Sequence, residues 1–140
     1  MGELVAFRNV VTSIAEDSAV DEVSIESAVT AAGYGLRYVP EAIVRNKGPE
    51  TISDFLKQRR RIHAGHLHVA RAAGYAPSTM KLTRVARHLI ADAVSTPSNL
   101  PVSLGAAALE AAGRALGAWD FYISRKNHAV WEIAVTTKDV

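Results

Sequence analysis

Apolar and polar positions change their period several times along this chain. Residues 2–8 place Leu4, Val5, Ala6 and Phe7 side by side, which predicts a short strand or a buried turn. Residues 9–19 are mixed and predict a loop with a helical turn. Val23, Ile25 or Glu26, Val29 and Ala32 then recur at helical spacing, so a helix is predicted from about 21 to 32. Gly33 is placed to end it in a left-handed conformation. Leu36, Tyr38 and Val39 read as a strand, Pro40 breaks it, and residues 42–45 extend again.

The next stretch, residues 48–68, combines a turn, a helix start, three consecutive arginines and three histidines. Gly48 and Pro49 punctuate the chain, and Thr51 can accept from the amide three residues on, where Asp54 stands. Ile52, Phe55, Leu56, Ile62 (or His63) and Leu67 mark the apolar side of a helix over about 50–73. Gly74, Pro77 and Ser78 close it.

A second amphipathic helix is predicted over 80–94. Leu82, Val85, Ala86, Leu89, Ile90 and Ala93 fall on one side, and Lys81, Arg84, Arg87 and His88 on the other. Residues 95–101 form a turn cluster. Residues 102–119 form a helix rich in Ala and Gly, whose two charges, Glu110 and Arg114, stand four apart in the favourable order. Two readings stay open for it: close packing on a neighbouring helix, or a membrane-surface or re-entrant helix. The tail carries both tryptophans, with aromatics beside Arg125 and Lys126 as at an apolar–wet interface. The pattern as a whole predicts an α/β layer fold, mainly helical.

Composition narrows the function. The chain has 140 residues, 49% hydrophobic and 21% charged, which suits one globular domain. A net charge of +2 does not call for nucleic acid as a partner. With no cysteine there is no disulfide scaffold and no thiolate metal site. No signal-peptide pattern and no run of 18 apolar residues is present, so a cytoplasmic location is expected, peripheral at the membrane face if the cationic helices meet lipid.

Three groups of residues carry candidate chemistry. Asp21 and Glu22 open a helix, where carboxylates either cap the orphan amides or serve as a general base toward a hydroxyl. Gln58 and Arg61 share a helix face, and guanidinium forks match phosphate oxygens. Arg59, Arg60 and Arg61 must point in different directions around a helix, so at least one lies near the apolar side and needs an anion there. His63, His66 and His68 do not make a metal site by themselves, since 68 is turned away from 63. No P-loop, dinucleotide fingerprint, nucleophile elbow or acidic metal–nucleotide motif is present.

The segment Gly2 to Arg8, the pair Asp21–Glu22, Gly33–Tyr34 with Tyr38, Pro40 and Ala42, and then Gln58 to Ile62 follow one another in an order that resembles a family 2 glycosyltransferase of the processive, membrane-associated kind. Trp131, Glu132, Ile133, Thr137 and Lys138 are similar to that family's closing segment. The resemblance implies a GT-A-like layer of short strands and an inverting transfer from a nucleotide-diphosphate sugar to a hydroxyl acceptor. It implies Glu22, with Asp21 beside it, as the catalytic base. It also implies Gln58 and Arg61 as contacts of the diphosphate, with Arg59, Arg60 and His63 as further candidates. Ile62 stands where the family has Trp, and Glu22 where Asp is usual.

The family's nucleotide-binding half, with its Asp-x-Asp metal site, has no counterpart here. The resemblance therefore implies an acceptor-side half over 1–79 and a helical, membrane-interface region over 80–140. A divalent metal (Mg or Mn) is expected only in the complete enzyme; either the chain is a truncated product or the nucleotide-binding half is a separate polypeptide, and little or no transfer is expected from this chain alone. The other expectation is a non-catalytic module that docks on a partner protein or a membrane surface.

Overall fold

The computed structural model describes residues 5–14, 19–77, 80 and 82–126. Leu4, Ser78, Lys81 and the Trp131–Lys138 part of the tail lie outside them, as do the side chains of Leu82, Arg84, Val85, His88, Leu89 and Ala93. Four helices carry the described chain: α1 (Asp21–Ala31), α2 (Ile52–Ala73), α3 (Leu82–Ser95) and α4 (Leu100–Trp119). A 3-10 turn, Pro97–Asn99, joins α3 to α4, and a π turn, Asp120–Ser124, extends α4.

Local chemistry sets the helix ends. Thr51 Oγ1 accepts from the Asp54 amide at 3.1 Å and starts α2. Gly74, at φ 64°, ends it, with its amide on the Ala70 carbonyl at 3.0 Å. Gly33, at φ 84°, closes α1: its amide donates to Thr30 at 2.9 Å, and the Tyr34 amide to Val29 at 3.2 Å. This is a Schellman motif, and it needs a residue free to take positive φ.

The expected α/β layer is not there. No strand forms among the described residues, neither at 5–8 nor at 36–39 or 42–45. A strand needs a second strand for its amides and carbonyls. Here the chain turns back on itself at Pro40–Glu41, with Ala42 donating to the Val39 carbonyl and Ile43 to that of Glu41. Tyr38 and Ile43 stand 82% and 79% exposed.

Packing also departs from the apolar stripe expected on α2. Ile52 is 63% exposed, while Ala64, Gly65 and His66 are buried. Small residues decide this, because they let backbones approach. Gly65 faces Val20: a Cβ there would lie 2.9 Å from Val20 Cγ2 and 3.2 Å from Ala19 Cβ. Val20 and Val23 are almost completely buried, each contributing roughly 1.5–3 kcal/mol by leaving water, and they hold the start of α1 on α2.

On another face of α2, α4 lies close through two glycines one turn apart. A Cβ on Gly117 would meet the Arg60 carbonyl oxygen at 2.6 Å, and one on Gly113 would meet Arg59 Cβ at 2.6 Å. Of the two readings for residues 102–119, close packing through small residues is the one seen for this face. α2 and α4 form the main helix pair and lie on either side of residue 79. No helix among the described residues is long and apolar enough to cross a membrane.

Candidate active site

The crossing of α1 and α2 brings the first turn of α1 to the middle of α2. Asp21 and Glu22 stand in that first turn, where the helix dipole favours carboxylates. The Val20 side chain, lodged against Gly65, fixes where they sit. One turn back from Gly65 along α2 is Arg61. Burial lowers the Arg61 pKa from its ordinary value, while the charges of Glu22 and then Asp21 oppose that shift. An arginine stays charged under such a shift. The result is a half-buried guanidinium in the field of two carboxylates. Gln58 is exposed on α2 one turn before Arg61.

The three consecutive arginines divide their tasks, because successive residues on a helix turn by about 100°. Arg61 lies in the field of α1. Arg59 Nε lies 3.1 Å from Glu110 Oε2 and its guanidinium sits 5.3 Å from the centre of the Phe55 ring. Arg60 forms a bidentate pair with Asp120 through Nε and Nη2. Asp120 is completely buried and also accepts from Ser124 Oγ at 2.9 Å. Arg114 Nε donates to Glu110 Oε1 at 2.8 Å, the pair expected from their spacing, so Glu110 joins Arg59 to Arg114.

The histidines follow the same division. His63 Cβ lies against Gly117, in the α2–α4 contact. Burial, and then the charge of Arg114, lower the His63 pKa, with Glu110 opposing. His66 is only 6% exposed, and its pKa falls to about 4. Burial is the main cause, followed by His63, Arg114 and Arg59. A buried imidazole in this cationic setting is neutral at pH 7. His68 packs edge-on against the Phe121 ring, with centroids 4.7 Å apart.

The structure therefore groups Asp21, Glu22 and Arg61, with Gln58 one turn away. It directs Arg59, Arg60 and His63 toward α4. Asp120 was not singled out from the sequence, since a lone acid after a tryptophan carries no pattern. Its signal was indirect: an arginine near the apolar side of α2 required an anion. Arg8, the end of the segment that resembles the transferase family, stacks over the Tyr34 ring at 5.5 Å. Two segments of that resemblance thus meet.

Among the described residues no three His, Asp or Glu side chains are placed to hold a metal ion. The acid pair has a guanidinium for its neighbour, so these residues alone do not fit a divalent cation, and no step below passes through one.

No curated protein and no solved structure matches the chain. The family model described as "Glycosyl transferase family group 2" matches residues 3–116, a span that takes in α1, α2 and α3 and most of α4. On that match over most of its length, the chain belongs to glycosyl transferase family group 2.

Proposed function

We propose that this chain supplies the acceptor side of an inverting sugar transfer from a nucleotide-diphosphate donor to a hydroxyl. The family gives glycosyl transfer in general. The finer reading rests on one observation, the placing of Asp21 and Glu22 in the field of Arg61. Glu22, or Asp21 beside it, takes the proton of the acceptor hydroxyl. The hydroxyl oxygen then attacks the anomeric carbon while the bond to the diphosphate breaks. Arg61 holds negative charge as the diphosphate leaves, and Gln58 offers an amide donor on the same helix face. Arg59, Arg60 and His63 support this helix from the α4 side, Arg59 and Arg60 through their carboxylate partners.

Apolar residues of the 34–44 stretch are exposed, and a nucleotide-binding polypeptide packed there would complete the site. A divalent metal would then find its ligands in that partner. The test is sugar transfer by this chain combined with a nucleotide-binding partner. Glu22→Gln together with Asp21→Asn should lower kcat at least a hundredfold, in the range of general-base catalysis. Unchanged transfer by that double variant would overturn the assignment.

The same exposed stretch favours a second reading, a non-catalytic module that docks on a partner protein through 34–44. Under that reading the double variant binds the partner normally and no sugar is transferred by either form.

A further inference from the structure

At the far end of α2, away from the acid pair, His68, Arg71, Phe121, Tyr122 and Arg125 line an open cleft of about 460 Å³. That volume is within the range of small-molecule sites. The transferase reading uses none of these five residues, and Phe121, Tyr122 and Arg125 lie beyond the family match. We propose that this cleft is a second anion site, which binds a phosphate group.

Charge is the first argument. Among the described residues, neither Arg71 nor Arg125 has a carboxylate within ion-pairing distance. Nearby Asp120 is wholly engaged elsewhere, by Arg60 and Ser124. Arg71 lies in the last turn of α2, where it offsets the C-terminal end of the helix dipole. That end carries only about half an elementary charge, however, and the cleft presents two full guanidinium charges. A net positive field remains.

Geometry is the second. The Arg71 guanidinium lies over the Phe121 ring, 5.9 Å from its centre, and lines the cleft. Phe121 is itself held by edge contacts with His68 and Tyr122, at 4.7 and 4.8 Å. Arg125 adopts φ 50°, the one positive φ among the described non-glycine residues. Its amide and that of Lys126 both donate to the Asp120 carbonyl, and this holds the turn. A left-handed conformation is disfavoured for an ordinary residue, and here it places an arginine at the rim of the cleft. Guanidinium forks recognise phosphate by charge and by paired hydrogen bonds. The shared chemistry is a phosphate, either free in solution or on a lipid headgroup.

The full chain, labelled for NMR, is titrated with inorganic phosphate and with pyrophosphate. In a second arm it is mixed with phosphatidylcholine vesicles, with and without phosphatidic acid. Saturable shifts are expected at the Phe121, Tyr122 and Arg125 amides. Arg71→Gln and Arg125→Gln should each weaken binding about tenfold, and the pair should abolish it, while Lys57→Gln changes nothing. Saturation by the soluble anions assigns a free phosphate, and a response only to phosphatidic acid assigns a headgroup; both support the site. A response no stronger with phosphatidic acid than with phosphatidylcholine alone, with none to the soluble anions, overturns it. So does binding that survives the double variant. Both arginines are exposed, and Arg71→Lys with Arg125→Lys guards against misfolding, since it keeps the charge and loses the fork. These readouts are independent of sugar transfer.

Discussion

Arg60 grips Asp120 with two hydrogen bonds across the α2–α4 contact, and the aspartate it grips is completely buried. Arg60 keeps part of its side chain in water, so only one end of this pair is fully desolvated. Removing the acid leaves a guanidinium and the Ser124 hydroxyl without their acceptor. Asp120→Ala should therefore destabilise the fold by about 3 kcal/mol, the low end expected for an orphaned buried ion-pair partner. Urea denaturation measures it. A loss below about 1 kcal/mol would show the pair to be ornamental, as exposed pairs are.

The α2–α4 contact rests on missing side chains as much as on present ones. Gly117→Ala adds a methyl 2.6 Å from a backbone carbonyl, which cannot step aside as a flexible side chain can. The net cost should be about 1 kcal/mol, from overpacking of roughly 1–3 less the roughly 1 of helix propensity gained. Gly105, on the same helix, has nothing within 4 Å of where a Cβ would sit. Gly105→Ala should stabilise by about 0.5–1 kcal/mol. Thermal unfolding of the two variants should move in opposite directions, and a shift of the same sign in both would refute the close approach of α4.

Much of the local structure could be read from residues alone. Thr51, Gly33 and Gly74 were legible because capping and positive φ depend on near neighbours. The strands were not, because Leu36, Tyr38 and Val39 suit a strand only if another strand lies beside them. The buried side of α2 departs from the apolar stripe at Ile52 for a related reason. Periodicity weighs Ile52 heavily, whereas the crossing selects Gly65 for what it lacks. Of the proposed site, Asp21, Glu22, Gln58 and Arg61 are legible as types at telling positions. That Arg61 faces the acids while Arg59 and Arg60 face α4 is a consequence of packing, which no local pattern encodes.

Acid should weaken the fold through His66. Its pKa is depressed from the ordinary 6.5 to about 4, chiefly by burial, with His63, Arg114 and Arg59 adding to the effect and Glu110 opposing it. The unfolded chain therefore takes up a proton near pH 6.5 that the folded chain refuses until about pH 4. Stability from this residue is complete above pH 6.5 and is lost as pH falls toward 4, in total about 3 kcal/mol at 1.36 kcal/mol per unit. His63, also lowered, adds in the same direction. His66→Leu should flatten the fall in denaturation midpoint over this window. An equally steep fall in the variant would remove His66 as its source.

Gly65 couples the packing to the proposed chemistry. Alanine there would place a methyl 2.9 Å from Val20 Cγ2 and 3.1 Å from Cγ1. Val20 directly precedes Asp21, so relief of this clash moves the start of α1 away from α2, and with it the acid pair away from Arg61. Gly65→Ala should cost about 1–3 kcal/mol in stability. It should also lower kcat for sugar transfer more than it raises KM, because the base is displaced while α2 keeps Gln58 and Arg61. Shortening the obstacle offers the decisive comparison. Val20→Ala alone leaves a cavity and costs stability, but in combination with Gly65→Ala it makes room for the new methyl. The double variant should recover most of the lost transfer, with a coupling between the two sites of about 1 kcal/mol or more. Strict additivity in the double-mutant cycle would mean that the Val20–Gly65 contact does not set the position of the acid pair.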